Sequence, residues 1–163
     1  MNWDFLQAVH SFLQAVLSKL GFNGVFIGWI LACVSSVSFE VLVNGGKSNQ
    51  FKPSRGLRQG DPLSAYLFII GQEVLSRLLE KEFTLKNIDG VKASACAPPI
   101  THVMYADDII LFSTATRNNA DAILKCIQKY CEWSGQCLNN SKSGVFFSNH
   151  SSHQNRRVIK HIL

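Results

Sequence analysis

The chain has 163 residues, 47% of them hydrophobic, and a formal net charge of +5. Its length and composition allow one globular domain with a sizeable core, and the excess of basic residues suits a polyanionic partner. The five cysteines form no CxxC pair, and no basic-then-apolar leader opens the sequence, so a secreted, disulfide-bonded protein is disfavoured. We therefore expect an intracellular protein of the nucleus or the cytoplasm.

The first part of the chain favours two helices. Apolar residues recur at helical spacing over residues 4–20, and Gly21 is a natural stop for that helix. A second apolar stretch, residues 25–32, is expected to be helical too. Residues 21–39 carry no charge and are long enough to raise the question of a membrane span. Their glycines, serines and alternating second half favour a place in the core instead, with no membrane partner.

A hairpin is expected where the period of the sequence changes. Residues 36–43, SVSFEVLV, alternate between apolar and polar in the pattern of a strand. Asn44-Gly45-Gly46 is a strong turn signal, and a return strand is expected near residues 50–52.

The next segment, PSRGLRQGDPLSAYLF, predicts a loop that leads into a helix. Its Gly56 and Gly60 indicate the loop, and Asp61-Pro62 is the pattern of a helix N-cap followed by the first helical residue. The helix is expected to run to about residue 81. Its predicted buried face comprises Leu67, Ile70, Val74, Leu75 and Leu78.

The sequence YADD, residues 105–108, lies between two apolar runs rich in β-formers, THVM and IILFSTAT. This pattern predicts a second hairpin with the acids at its tip. A helix over residues 119–133 should follow, with Ile123, Ile127 and Tyr130 on its buried face and a stop at Ser134-Gly135. The last element is expected to be a short strand, SGVFFS, preceded by Lys142. This order of elements is typical of an α+β fold with an antiparallel sheet.

Two adjacent carboxylates at a hairpin tip are suited to a divalent metal. The turn exposes their oxygens, the strands fix them, and hard oxygen ligands match magnesium. Two such ions can clamp the attacking and leaving oxygens of a phosphoryl transfer. A glycine-containing basic loop at a helix start could meet the phosphates of a nucleotide or template. Taken singly, an acid pair of this kind is more often a solvated turn, and a basic loop is usually plain surface.

Three blocks in order carry a family resemblance: SRGLRQGDPLSAYLF, YADDIILF and SGQCLNNSKSGVFFS. They resemble the reverse transcriptases of non-LTR retrotransposons, the LINE type common in plant genomes. NWDFL, SVSFEVLVNG and GQEVLSRLLEK also look like that family, so the resemblance covers essentially the whole chain. It implies an RNA-directed DNA polymerase with a palm-like antiparallel sheet and packed helices. It also implies Mg²⁺ or Mn²⁺ as cofactor in the intact enzyme, with an RNA template, a DNA primer and deoxynucleoside triphosphates as partners.

The resemblance also implies roles for the residues of the YADD block. Asp107 and Asp108 match the metal-binding aspartates of the family, with Asp107 the more direct ligand in two-metal nucleotidyl transfer. Tyr105 would lie by the 3′ end of the primer.

Outside that block, the resemblance implies further substrate contacts. Arg58, Gln59 and Gly60 match the segment that lines the template and incoming-nucleotide site. Lys142 matches a candidate general acid for the leaving pyrophosphate, with a solvated turn lysine as the alternative. Arg55 is expected to face a phosphate, with plain surface as the alternative.

The match departs from the family in two places. Ala65 stands where the family usually has proline, which a helix should tolerate because alanine is an excellent helix former. Family members also carry a metal aspartate in a D-x-x-K-A-[YF]-D segment about ten residues before the tryptophan matched by Trp3, whereas this sequence begins at Met1.

The resemblance therefore implies a sheet that lacks one strand and a site that lacks one carboxylate. We therefore expect residues 1–163 to form a partial reverse transcriptase domain, an incomplete palm with a basic C-terminal segment from about residue 148. As an isolated chain it should be inactive, with the missing part of the polymerase as a possible partner. The alternative is a non-catalytic nucleic-acid-binding remnant of a retrotransposon.

Overall fold

The computed structural model describes residues 3–53 and 56–162, and it describes side chains from residue 9 onward. Within these residues the chain forms five α-helices and two small antiparallel sheets, so the predicted mixture of helices with antiparallel strands is confirmed. The elements in chain order are α1 Trp3–Lys19, α2 Gly24–Ser35, β1 Leu42–Val43, β2 Gly46–Lys47, α3 Pro62–Thr84, β3 His102–Tyr105, β4 Asp108–Leu111, α4 Arg117–Ser134 and α5 His153–Ile162.

The chain divides into two compact units, and the division falls within α3. The first unit comprises Met1–Gly71 with Trp133–Gly135, and the second comprises Gln72–Glu132 with Gln136–Leu163.

In the first unit, α1 and α2 are joined by a tight glycine-dependent turn. Gly21 has φ +86°, its amide bonds to Ser18, and the amide of Phe22 bonds to Leu17. These two bonds form a Schellman motif, in which glycine takes the left-handed position without a steric penalty. Asn23 then caps α2 through its side-chain oxygen, which accepts from the Val25 amide at 2.8 Å. The predicted end of α1 and start of α2 are therefore both present. The core of this unit consists of Leu13, Leu17, Ile27, Ile30 and Leu67.

The apolar stretch at residues 21–39 is divided between this turn, the 12-residue α2 and extended chain. Among the residues described, no helix has the length and apolarity needed to cross a bilayer.

The first hairpin forms as predicted but is shorter, and its return strand lies nearer the turn. Asn44 and Gly45 have φ +49° and +82°, the backbone that a two-residue hairpin loop prefers. β1 pairs with β2 directly beside this loop, whereas Phe51 in the predicted return strand makes only an isolated bridge to Phe39. The ladder is interrupted because the Ser48 hydroxyl accepts from the Val41 amide at 2.9 Å.

Helix α3 begins where the Asp61-Pro62 pattern predicts. The Asp61 carboxylate accepts from the Leu63 amide at 2.9 Å, and the Asp61 carbonyl accepts from the Ser64 amide. Its most buried residues are Leu67, Leu75 and Leu79. Ile70, Val74 and Leu78 are only half-buried, and the prediction missed Leu79.

A polar network organises the second unit. Asn119, 3% exposed at the start of α4, donates to Asp89 at 3.1 Å and to the Thr114 carbonyl at 3.2 Å. The Thr114 hydroxyl also donates to the Asp89 carboxylate. These hydrogen bonds lower the pKa of Asp89 below its ordinary value because they favour the charged form. The network fastens the loop after α3 to the segment between β4 and α4.

The apolar core of the second unit is formed mainly by α3 and α4. Burial raises the pKa of Cys126 to about 11, so this thiol stays protonated, as expected of a structural cysteine. The buried apolar residues of the unit are Leu75, Leu79, Ile88, Ala120, Ala122, Ile123, Cys126, Tyr130 and Ile159.

The prediction of a strand at SGVFFS is wrong. Residues 143–148 form no strand, since no described residue lies beside them as a pairing partner, and Phe146 is 98% exposed. Helix α5 follows instead, which the prediction missed. Ser152 begins α5 by accepting from the Asn155 amide at 3.2 Å through its hydroxyl.

Candidate functional site

The YADD residues form the tip of the β3–β4 hairpin, as predicted. Tyr105 pairs with Asp108, and Met104 pairs with Ile109. Ala106 and Asp107 are therefore the two central residues of the loop. The side chains along both strands alternate between half-buried and exposed, which follows from the period of two in an extended chain.

This alternation places Tyr105 and Asp108 on the exposed face of the hairpin. The Tyr105 side chain is 83% exposed, and both aspartates are exposed. Directly paired residues have Cβ atoms about 4.5–5.5 Å apart, so the phenol ring and the Asp108 carboxylate are neighbours. The tip therefore presents an aromatic ring and two carboxylates together to the solvent.

The loop carries backbone strain at Ala106. Its φ is +51°, a left-handed conformation that costs an L-residue about 1–2 kcal/mol. Two-residue hairpin loops normally take Gly, Asn or Asp at such positions. The strain is therefore held in place by the pairing of the two strands, and it sits directly beside the candidate metal ligand Asp107.

The base of the hairpin is tied to α3 through His102. Its Nε2 lies 2.8 Å from the Ser76 hydroxyl, and its Nδ1 lies 2.9 Å from the Thr101 hydroxyl. Both ring nitrogens therefore have partners, and the side chain that begins β3 is fixed against a helix of the same unit. This contact anchors the base of the hairpin to α3, whereas the side chains at its tip are exposed.

The two carboxylates lack a neutralising cation among the described residues. No described Lys, Arg or His nitrogen lies within 4.0 Å of the Asp107 or Asp108 carboxylate. The ion pairs of the described residues involve other acids. No group of three or more His, Cys, Asp or Glu side chains in the described part of the chain is arranged to hold a metal ion. Carboxylate oxygens are the donors that Mg²⁺ prefers, and polymerase-type sites use one or two carboxylates with substrate phosphates and water. The two carboxylates could therefore supply some of the ligands of one Mg²⁺ ion. Binding of two ions would need further carboxylate ligands.

The predicted substrate residues of the first unit lie at the mouth of a small pocket. Arg58 and Gln59 line a cavity of about 330 Å³, together with Asp61 and Ser64 at the start of α3. Gly60 has φ +82°, which allows the chain to turn sharply from this loop into the helix. The pocket therefore combines a guanidinium and a side-chain amide, which can donate to an anionic ligand, with the Asp61 carboxylate, which already accepts from the Leu63 amide at the start of α3.

Two further predicted residues, Lys142 and Arg55, have no described contact with the hairpin tip. Lys142 lies exposed in a turn after α4, where its amide donates to the Asn139 carbonyl at 3.1 Å. The structure does not bring its ammonium within 4.0 Å of either hairpin carboxylate. Arg55 lies outside the described residues.

The prediction from sequence missed part of the pocket wall. Cys33, Val37 and Phe39 line the same cavity as Arg58 although they precede it by some twenty residues. The bridge between Phe39 and Phe51 folds this segment back toward the loop. The turn pattern at Asn44-Gly45 predicts that the segments before and after it lie side by side, but it does not predict a ligand pocket between them.

The chain thus combines helices and antiparallel strands with a paired-acid hairpin and a loop that contains Arg58 and Gly60. The family profile described as reverse transcriptase (RNA-dependent DNA polymerase) matches residues 5–158. The chain therefore belongs to the reverse transcriptase family.

The relatives agree with this assignment. An uncharacterized mitochondrial protein of Arabidopsis thaliana is 46% identical over 67 residues, 41% of this chain and 55% of that protein. A retrovirus-related Pol polyprotein from a type-2 retrotransposable element of Drosophila melanogaster is 27% identical, over 82% of this chain and 12% of the polyprotein. An uncharacterized 149 kDa protein of transposon TX1 from Xenopus laevis is 28% identical, over 82% of this chain and 10% of that protein. These matches confirm the resemblance to non-LTR retrotransposon reverse transcriptases, and the Arabidopsis match supports its plant-like character. The chain thus spans about half of one of these relatives and about a tenth of the other two.

Proposed function

We propose that the chain carries part of the polymerase site of an RNA-directed DNA polymerase. The observation that carries this proposal is the exposed carboxylate pair at the tip of a hairpin whose base His102 ties to α3, with no cationic nitrogen of the described residues within 4.0 Å. Family membership over residues 5–158 supports it. The partners in this proposal are an RNA template, a DNA primer and deoxynucleoside triphosphates. The fold proposed is a palm-like sheet and its helices within one partial reverse transcriptase domain, residues 1–163, in an intracellular protein.

The two aspartates have different positions and therefore different proposed tasks. Asp107 lies at the apex of the loop, where its carboxylate can reach a bound cation from the solvent side. Asp108 is the first residue of β4, so its backbone is fixed by pairing and its carboxylate can share the same ion. A bound Mg²⁺ or Mn²⁺ would supply charge neutralisation for the phosphate oxygens of the reaction. Tyr105, across the strand from Asp108, would pack against the primer end.

The loop of the first unit has the proposed task of holding the template or the incoming nucleotide. Arg58 can form charge-assisted hydrogen bonds with phosphate oxygens, and the Gln59 amide can donate or accept at a base or sugar. Gly60 leaves the backbone open to close approach, since no atom within 4 Å would meet a Cβ there. For Lys142 we propose transfer of a proton to the leaving pyrophosphate, and for Arg55 a phosphate contact.

The number of carboxylates limits what the chain should do alone. Two ions about 3.5–4 Å apart require more ligands than one adjacent pair supplies. We therefore propose that primer extension needs a further carboxylate from another polypeptide segment. Without it, the described residues should still bind one divalent cation weakly.

Metal binding by the full chain tests this proposal. Titration of Mn²⁺, followed by the loss of the electron paramagnetic resonance signal of the free ion, should show one weak site. Asp107→Asn should reduce the affinity at least tenfold because it removes a charged oxygen ligand at the apex of the loop.

A matched control and a second assay make the outcome decisive. Glu132→Gln changes an exposed acid outside the candidate site by the same chemistry and should leave the Mn²⁺ affinity unchanged. Equal affinity in wild type and Asp107→Asn would overturn the metal assignment. Primer extension on an RNA template by the chain alone, abolished by Asp107→Asn, would uphold the metal site and overturn the need for a further carboxylate.

A further inference from the structure

A lysine-lined groove opens in the second unit, between the C-terminal end of α3 and helix α4. It encloses about 840 Å³, and its lining contains no residue of the YADD hairpin or of the loop at residues 56–61. Lys81 and Lys86 contribute from the side of α3, while Lys125 and Lys129 contribute from α4. The two α4 lysines are four residues apart and therefore share one face of that helix.

The acids of the groove already have partners. Glu82 accepts from the Asn87 amide group at 2.7 Å, and Asp121 pairs with Arg117 at 3.6 Å. Asp89 accepts from Asn119 and Thr114, as described above. By contrast, neither Lys81 nor Lys125 has a described acid within 4.0 Å. Glu82 and Asp89 keep their negative charge because these hydrogen-bond partners are neutral, so four lysines face three acids in the lining and its net charge is positive by one.

Lys86 reaches this groove from a conformation that favours glycine. Its φ is +62°, and it ends α3 in a Schellman motif, with its amide on Phe83 and the Asn87 amide on Glu82. The ammonium lies 5.5 Å from the Phe83 ring centroid. An L-residue at this position destabilises the fold relative to glycine, so a lysine here presents its charge at the expense of backbone strain.

From these observations we propose that the groove binds the sugar–phosphate backbone of a nucleic-acid strand at a second site, beyond the proposed polymerase site. Lysine ammonium groups recognise phosphates as point charges. No aromatic ring belongs to the described lining, so the bases have no stacking platform and binding should be indifferent to sequence. The site would hold a strand while chemistry takes place elsewhere on the polymerase.

Fluorescence anisotropy of a labelled single-stranded oligonucleotide, titrated with the full chain at several salt concentrations, tests this proposal. The variant Lys81→Gln/Lys125→Gln should weaken binding roughly tenfold at low salt. It should also reduce the slope of log K against log salt by about 1.4, since each single-strand phosphate contact contributes about 0.7. The control Lys19→Gln/Lys92→Gln removes the same charge from exposed lysines outside the groove and should change both quantities much less. An equal effect of the two pairs, or no measurable binding at low salt, would overturn the proposal.

Lys86→Gly provides a second readout that a structural role could not produce. The variant should raise the melting temperature by about 2–4 °C, because it relieves left-handed strain, while it weakens oligonucleotide binding several-fold. A variant that is stabilised and binds as wild type would remove Lys86 from the site. The metal assignment is tested by Mn²⁺ binding and the groove by the salt slope of oligonucleotide binding, so failure of one can be told apart from failure of the other. Equal competition by inorganic phosphate and by unlabelled oligonucleotide, at equal phosphate concentration, would mean a simple anion site and would contradict strand binding.

Discussion

Ala106 shows at the scale of one residue how the candidate site differs from its surroundings. Tyr105 and Asp108, which flank the loop, are paired in a regular hairpin, whereas Ala106 has a positive φ next to Asp107. The strain is stored at the point where a ligand is proposed to bind, a common location for unfavourable backbone conformations.

Ala106→Gly should therefore stabilise the protein. Glycine relieves the left-handed strain but loses more conformational entropy on folding, so we expect the free energy of unfolding to rise by up to about 1 kcal/mol. Chemical denaturation measures this change. Ala65→Gly, at an exposed position inside α3, should lower the same quantity by about 0.5–1 kcal/mol. Destabilisation by both substitutions would show that the Ala106 backbone is not strained.

Asp89 makes the stability of the protein depend on pH. The hydrogen bonds from Asn119 and Thr114 lower its pKa in the folded state, so the unfolded chain binds this proton more tightly. The stabilisation is present above the unfolded pKa of about 3.9 and is lost as the pH falls through the lower folded pKa. Asp89→Asn should show a smaller difference in unfolding free energy between pH 6 and pH 3 than wild type.

Urea denaturation at the two pH values measures this effect. Glu132→Gln removes a carboxylate outside the network and should keep the wild-type difference. An Asp89→Asn variant with the full wild-type difference would assign the acid sensitivity to other groups.

At the scale of elements, the sequence predicted those that local chemistry determines. Gly21 ends α1, Asn44-Gly45 turns the first hairpin, and Asp61 begins α3, each through bonds to residues within a few positions in the chain. The strand expected at residues 143–148 failed because a strand also needs a neighbour, which a local pattern does not supply. The Ser152 cap of α5 was a usable local signal that the prediction overlooked.

The N-cap of α3 allows a direct test of this local determination. Asp61→Ala removes the side-chain acceptor of the Leu63 amide and should lower the free energy of unfolding by about 1 kcal/mol. Asp61→Asn keeps an acceptor oxygen and should retain most of the stability in the same denaturation experiment. Equal losses in the two variants would mean that the charge, and not the cap hydrogen bond, stabilises the start of α3.

At the scale of the whole molecule, each unit exposes large apolar side chains. In the first unit Trp29 and Leu42 are 65% and 70% exposed, and in the second Phe146 is almost fully exposed. The candidate site could be predicted from the sequence only in part. Asp107 and Asp108 lie together because they are adjacent in sequence. The pocket wall at Cys33 and the lysine groove are formed by residues far apart in the chain, which a local sequence pattern does not bring together.

This exposure predicts that the folded chain binds hydrophobic dyes and has low solubility. Fluorescence of anilinonaphthalene sulfonate should rise on addition of the native protein, and Phe146→Ser should reduce that rise without changing the thermal midpoint. Native protein that leaves the dye fluorescence unchanged would contradict the prediction.

Hydrogen exchange in the segment around Phe146 can show whether another polypeptide binds there. The amides of residues 144–147 have no hydrogen-bonded partner among the described residues, so their hydrogens should exchange with deuterated solvent at nearly the rate of an unfolded peptide. A polypeptide that paired with this segment as a strand would slow that exchange at consecutive amides. Deuterium uptake by this short segment would thus record the binding of any polypeptide that pairs with it, at the resolution of a single peptide and without any label on the protein.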